Sequence, residues 1–234
     1  EFTDLYNSKN INDIIGKEYD IIFSCANSGY KYKVQENPDE DLQNIKNYIE
    51  ILKQVKFKKI DLISSIDVYP HPFNIDEKNM VLHNPLLSYG NNRLEMEKFV
   101  LFKKIEDKFD CLVVRVPIIY GKNFKKNIIY DLLYDHQTYN VNIDAVLQIY
   151  NTCNLKRDID VALEKGLRIL NLATEPITAE EISFVLDKPA HESAYIVSYP
   201  FRYDMHTKYA DLFGKEGNYL QSKQEIIDEL IRFK

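Results

Sequence analysis

The chain has 234 residues, 45% of them hydrophobic and 28% charged, and its 30 basic and 36 acidic residues leave a net charge of −6. That length can bury a sizeable core, and the acidic balance, with no Lys/Arg-dense tract, excludes a general nucleic-acid binder. Three scattered cysteines (Cys25, Cys111, Cys153) exclude a disulfide framework and fit a reducing cytoplasm, and no apolar run or N-terminal signal pattern suggests a spanning or secreted chain.

In chain order, Tyr19–Ala26 is a short apolar run ending in small residues, the pattern of a strand buried in a parallel sheet. Asn27-Ser28-Gly29 reads as a loop, followed by a polar stretch to Pro38. From Glu40 to Lys56, Leu42, Ile45, Ile49, Leu52 and Val55 form a helical apolar stripe. Lys59–Ser65 is a second strand running into hydroxyl residues. Residues 67–87, with Pro70, Pro72 and Pro85, read as a long loop of the kind that usually carries function. Ser88–Asp107 is a helix, and Cys111–Ile118 a third strand interrupted by Pro117. Strand, helix, strand, helix, strand with such long connections demands parallel pairing, so the predicted fold class is α/β, a Rossmann-like doubly wound parallel sheet. After Gly121 the texture changes. Leu155–Lys165 reads as a helix and Leu167–Leu172 as a strand. Thr178-Ala-Glu-Glu181 and Ser222-Lys-Gln-Glu225 are capping boxes that open two further helices.

The chemistry-bearing constellation is Ser64-Ser65-Ile66-Asp67-Val68-Tyr69 followed by Tyr89-Gly90-Asn91-Asn92-Arg93-Leu94-Glu95-Met96-Glu97. Helical spacing puts Tyr89 and Arg93 one turn apart on one face. A cation beside a phenol favours the phenolate, and a serine at a strand's carboxyl end can bond the same substrate oxygen. Ser65, Tyr89 and Arg93 therefore form a candidate acid/base unit for alcohol–ketone interconversion. The histidines at 71, 83, 136, 191 and 206 show no metal-ligand spacing and the cysteines no C-x-x-C, so no metal site is expected. Cys25 and Cys111, at the ends of apolar strands, are expected to pack there.

These segments resemble the extended short-chain dehydrogenase/reductase superfamily, which includes nucleotide-sugar epimerases, dehydratases and reductases. Ser65-Ile-Asp-Val-Tyr69 is similar to its Ser-x-x-x-Tyr segment. Tyr89-Gly90-x-x-Arg93-Leu94-x-x-Glu97 is similar to its Tyr-Gly-x-Ser-Lys-Leu-x-x-Glu, with Asn92 for Ser and Arg93 for Lys. Phe23-Ser24-Cys25-Ala26, Asn44-Ile45 with Ile51-Leu52, Arg115-Val-Pro-Ile-Ile-Tyr120-Gly121, and Asn171-Leu172-Ala173-Thr174 resemble further family segments in the same order. The resemblance runs from about Asp20 to Leu186.

The resemblance implies NAD or NADP as cofactor and a nucleotide-activated sugar as substrate, as in bacterial polysaccharide biosynthesis, in a cytoplasmic homodimer without nucleic-acid or membrane partners. Tyr89 would be the general acid/base, Ser65 its partner, and Arg93 would replace the lysine that bonds the nicotinamide ribose. Ala26, Asn44, Pro117 and Ile118 would meet the cofactor, and Asn27, Tyr30 and Asp67 the sugar. Lys125 and Asn127 suit either a nucleotide diphosphate or a solvated helix start. Residues 1–121 would form the partial NAD(P)-binding core and 122–234 a small α+β substrate lobe with returning sheet elements.

Seven glycines in 234 residues is under half the ordinary share of about 7%. No three of them have the family's Gly-x-x-Gly-x-x-Gly spacing, which brings pyrophosphate to a helix N-terminus. In family order Tyr19–Ala26 resembles the fourth strand. The fingerprint is therefore expected upstream of Glu1, with true loss of that half as the other reading. The chain as it stands is then expected to bind cofactor poorly and not to turn over. Two functions stay open: an NAD(P)-dependent epimerase or reductase of a nucleotide-activated sugar, and a non-catalytic nucleotide or sugar-nucleotide binding protein on the same scaffold.

Overall fold

The computed structural model describes residues 2–81, 83, 87–107, 109–136, 142–188 and 202–234. Pro85 and His191 lie outside them. The first elements are β1 (Glu18–Ser24), α1 (Lys31–Glu36), α2 (Pro38–Leu52), β2 (Lys56–Ser65), β3 (Phe73–Ile75), α3 (Ser88–Asp107) and β4 (Asp110–Val116). Then follow β5 (Ile118–Tyr120), α4 (Ile128–Leu133), β6 (Val146–Leu147), β7 (Ile149–Asn151), α5 (Leu155–Glu164) and β8 (Ile169–Asn171). The last are β9 (Ile177–Thr178), α6 (Ala179–Val185), β10 (Asp204–Met205) and α7 (Lys223–Phe233). The chain divides into two compact units, one of Glu1–Pro70 with Val81–Arg115, the other of His71–Met80 with Val116–Lys234.

In the first unit β1 pairs in parallel with β2, Ile22 opposite Ile60 and Ser24 opposite Leu62, and β4 lies on the far side of β2. The pairing is parallel because each crossover carries helix: α1 and α2 join β1 to β2, and α3 joins β2 to β4. α2 opens on Pro38, which needs no N–H partner in the first turn, and on Asp39, Glu40 and Asp41, which suit the positive end of the helix dipole. It buries Ile45 and Leu52, and α3, which packs against it, buries Leu94, Met96 and Val100. In β4 Cys111, Leu112, Val113 and Val114 are all buried, as in a strand covered on both faces.

The second unit has its own core, in which Ile129, Leu132, Ile149, Ile177, Ile182 and Leu230 are fully buried. Three two-stranded pairs serve it: β5 with β7 and β3 with β10, both parallel, and β6 with β9 antiparallel. Both capping boxes form, Thr178 with Glu181 on α6 and Ser222 with Glu225 on α7. The loop expected over 67–87 is not uniform. Its 73–75 segment is strand, and Glu77 ties it into the second unit by accepting from Asn171 N–H (2.8 Å), Thr207 Oγ1 (2.7 Å) and Lys208 N–H (3.0 Å).

Two other expectations are corrected. The polar stretch before Pro38, for which the sequence pattern predicts no element, contains α1, whose only buried residue is Val34, so it shows no apolar stripe. Cys25 is exposed, one residue past the end of β1 at Ser24, whereas Cys111 is buried within β4. Among the described residues no helix is long and apolar enough to cross a membrane, and no group of three or more His, Cys, Asp or Glu side chains could hold a metal ion.

Candidate active site

The candidate site in the first unit is built on the carboxyl end of β2. Ser65 caps the short 3-10 turn Ile66–Val68: its Oγ accepts from Asp67 N–H at 3.1 Å and donates to Asp67 Oδ2 at 3.0 Å. The other carboxylate oxygen, Oδ1, takes a 2.6 Å bond from Lys31 Nζ on α1. The turn seats directly on the first turn of α3. A Cβ placed on Gly90 would stand 1.9 Å from the Asp67 carbonyl oxygen, so only glycine permits this approach. By this contact the Ser65 turn and Tyr89, the residue before Gly90, are held together.

Tyr89 is half-buried, with the Arg93 guanidinium 4.6 Å from its ring centroid and Lys31 Nζ at 5.8 Å. The predicted one-face pairing of Tyr89 and Arg93 therefore takes the form of a guanidinium over a ring, a geometry a lysine does not reproduce. Arg93 is 1% exposed, and its Nη2 donates to both oxygens of Asp41 at 3.0 and 3.1 Å. Asn92 Nδ2 donates to the same carboxylate at 2.9 Å and to the Pro38 carbonyl at 3.0 Å. The two positions where this helix departs from the family motif are thus the two that reach Asp41. Arg93 Nε and Nη1 are buried and have no hydrogen-bond partner among the described residues. Neither Asp41 nor Lys31 was singled out from the sequence. Asp41 is one of three acids in a helix first turn, where dipole complementarity already accounts for acids, and Lys31 belongs to the polar stretch before Pro38.

Other motif residues form a buried scaffold beside the site. Glu97 on α3 receives Arg115 Nη2 at 2.6 Å, Arg115 Nε at 3.1 Å and Ser64 Oγ at 2.5 Å, and Arg115 Nη1 donates to Tyr69 Oη at 2.6 Å. Glu97 is fully buried, and Tyr69, Arg115 and Ser64 are nearly so. Burial works against the charge on Arg115, but the adjoining Glu97 carboxylate outweighs it and raises the guanidinium pKa above its ordinary value. One network thereby ties β2, α3 and β4 behind Ser65.

The remaining candidates are placed as follows. Ala26 is exposed in the loop after β1, and Asn27, in the same loop, has a buried Nδ2 with no partner among the described residues. Tyr30 precedes α1, 39% exposed, with Lys33 Nζ 4.9 Å from its ring. Asn44 is exposed on α2, and the α2 residue that reaches Arg93 is Asp41. Pro117, Ile118, Lys125 and Asn127 belong to the second unit. Pro117 is buried, Ile118 pairs with Ile149, and Lys125 is exposed. Asn127 caps α4, its Oδ1 accepting from Ile129 N–H at 3.0 Å and Tyr130 N–H at 3.3 Å while its Nδ2 donates to the Ile119 carbonyl at 2.9 Å.

No protein-family model matches the chain, and no curated protein matches it by sequence. Solved structures do. The chain is similar to MoeE5 in complex with UDP-glucose and NAD, with TM-score 0.72, 16% identity and coverage of 95% of this chain and 80% of that one. It is similar to a UDP-glucose 4-epimerase of Thermotoga maritima in complex with UDP-glucose (TM-score 0.69, 17% identity, 91% of this chain and 75% of that one). It is also similar to a dTDP-4-dehydrorhamnose reductase of Clostridium acetobutylicum (TM-score 0.67, 18% identity, 92% and 79%). The chain therefore has the Rossmann-like fold of the extended short-chain dehydrogenase/reductase enzymes, the fold its sequence motifs resemble.

Proposed function

We propose that the chain carries the proton-transfer residues of an NAD(P)-dependent epimerase or reductase of a nucleotide-activated sugar. The observation that carries this reading is the Arg93 guanidinium over the Tyr89 ring, at the residue next to Gly90, which itself meets the Ser65 turn. In the oxidising direction the substrate hydroxyl proton passes to the Tyr89 phenolate, and in the reducing direction the Tyr89 phenol returns it to the ketone oxygen. Ser65 Oγ, rotated away from Asp67, bonds the same oxygen and fixes it for that transfer. Lys31 and Arg93 place positive charge near the Tyr89 ring.

A nicotinamide cofactor fits the residues present at its ribose end. Arg93 Nε and Nη1, buried and without partners among the described residues, are donors suited to ribose hydroxyls, and Asn27 Nδ2 is a further such donor at the end of β1. When bound, that cofactor supplies or takes up the hydride. Support for the substrate class comes from the structural neighbours, a UDP-glucose 4-epimerase with UDP-glucose and a dTDP-4-dehydrorhamnose reductase.

Titration of the full-length protein with NAD and NADP, then turnover of a panel of UDP- and dTDP-sugars by wild type and Tyr89→Phe, tests the reading. Binding of one cofactor is expected, weakened by Arg93→Met, together with loss of turnover in Tyr89→Phe. Undetectable binding of both cofactors, or full turnover by Tyr89→Phe, overturns it. One observation favours a second reading, a non-catalytic sugar-nucleotide binder: Asp41 neutralises Arg93, and the Ser65 proton is directed to Asp67. Binding of cofactor and sugar nucleotide with no turnover of any panel member would establish that reading instead.

A further inference from the structure

We propose that the cleft lined by α5, α7 and the 3-10 turn Ala210–Phe213, within the second unit, binds a small molecule bearing an alkylammonium group. The cleft has a volume of about 520 Å³, in the range of small-ligand sites. Among its lining residues Gln221 is 4% exposed, and its Nε2 donates to Glu229 Oε1 at 2.9 Å. Asn154 Nδ2 donates to that same oxygen at 2.8 Å. The two remaining oxygens, Gln221 Oε1 and Glu229 Oε2, are buried and have no hydrogen-bond partner among the described residues. Both are acceptors, and the hydrogen bond joining the two side chains holds them in one locality. Buried acceptors are ordinarily matched, so the pair calls for a group with several N–H donors.

Charge narrows the class. The other carboxylates are already engaged: Asp158 accepts from Tyr150 Oη at 2.6 Å and Arg157 Nε at 2.7 Å, Glu225 is bonded by Lys215 at 2.5 Å, and Asp228 accepts from Gln224 at 2.9 Å. The lining holds four carboxylates and three cations, of which Arg157 and Lys215 pair with Asp158 and Glu225; Glu229 feels the Arg157 charge but has no ion pair of its own among the described residues, so one positive charge on the ligand balances the cleft. No group of three or more His, Cys, Asp or Glu among the described residues is placed to hold a metal, so an organic cation fits better than a metal ion. Val161, Leu212, Phe213 and Leu220 supply apolar wall for a short alkyl stem. An ammonium donates three N–H bonds, enough for both oxygens at once.

The test is a titration of the full chain with n-butylammonium, followed by NMR of the side-chain amides of Gln221 and Asn154, with n-butanol as the neutral comparator. Saturable shifts of those amides are expected with the ammonium and not with the alcohol. Glu229→Gln, which keeps the shape and removes the charge, should weaken binding by about tenfold or more. Leu212→Trp, which fills the apolar wall, should abolish it. No saturable shift with the ammonium, equal binding of the alcohol, or wild-type affinity in Glu229→Gln overturns the proposal. Should Glu229→Gln fail to fold, unchanged affinity in Leu212→Trp overturns it equally.

Discussion

Replacing Glu97 by Gln takes the negative charge out of the network behind Ser65 while nearly keeping its volume. Glu97 is 0% and Arg115 4% exposed at the side chain, so the pair belongs with buried ion pairs and not with screened surface ones. Removing one partner of such a pair leaves the other charge desolvated and costs about 3–5 kcal/mol. That is a shift of roughly a hundredfold to several thousandfold in the folding equilibrium, and a large part of an ordinary domain's stability of about 5–15 kcal/mol. The assay is equilibrium urea denaturation followed by far-ultraviolet circular dichroism and tyrosine fluorescence, the latter convenient because the chain has 17 tyrosines and no tryptophan. Glu97→Gln and Arg115→Met should each show the full loss. The double variant should lose much less than their sum, since no charge is then left buried alone. Single-variant losses below about 1 kcal/mol, or additive losses in the double variant, would refute the reasoning.

Gly90→Ala forces its Cβ against the Asp67 carbonyl oxygen, at 1.9 Å in the unrelaxed geometry, so it should destabilise by about 1–3 kcal/mol in the same urea assay. Arg93→Lys should be destabilising in the wild-type background, because the fork over the Tyr89 ring and the bond to Asp41 are lost together. Its melting loss should shrink in an Asp41→Asn background, where the original pairing is already gone. Glu181 and Glu225 report on pH. Burial opposes the charge on Glu181, but the Thr178 N–H and Lys223 prevail, and Lys215 with the Ser222 N–H does the same for Glu225, so both carboxyls titrate below their ordinary 4.5. The unfolded chain then binds these protons more readily. The contribution is therefore present above pH 4.5 and lost as pH falls through the folded values. Melting temperature should drop across that acid window, and less steeply in a Glu181→Gln/Glu225→Gln variant.

The first unit was largely legible in the sequence because its elements obey simple periods. β2 ends in the expected hydroxyl pair, α3 spans the expected Ser88–Asp107, and the parallel order follows from helical crossovers. What the sequence concealed was relational. Arg93 and Asn92 were visible as departures from a motif, but their shared partner Asp41 lies 51 residues or more earlier and is recognisable only once α2 and α3 are packed. Tyr69, Glu97 and Arg115 matched family segments one at a time, and folding shows them, with Ser64, to be parts of one buried network. α1 escaped notice because a six-residue helix with one buried residue leaves no periodic trace. Cys25 misled for the opposite reason: an apolar run does not say at which residue its strand ends, and here that residue is Ser24.

The seam at Gly90 also bears on motion. With no clearance between its Cα and the Asp67 carbonyl, the Ser65 turn cannot slide along α3, and the helix cannot roll, without opening the contact. Ser65 and Tyr89 are therefore joined through one backbone contact, and a shift that separates them must first open it. A side chain at position 90 would disconnect them, leaving both groups chemically intact and their relative position no longer fixed.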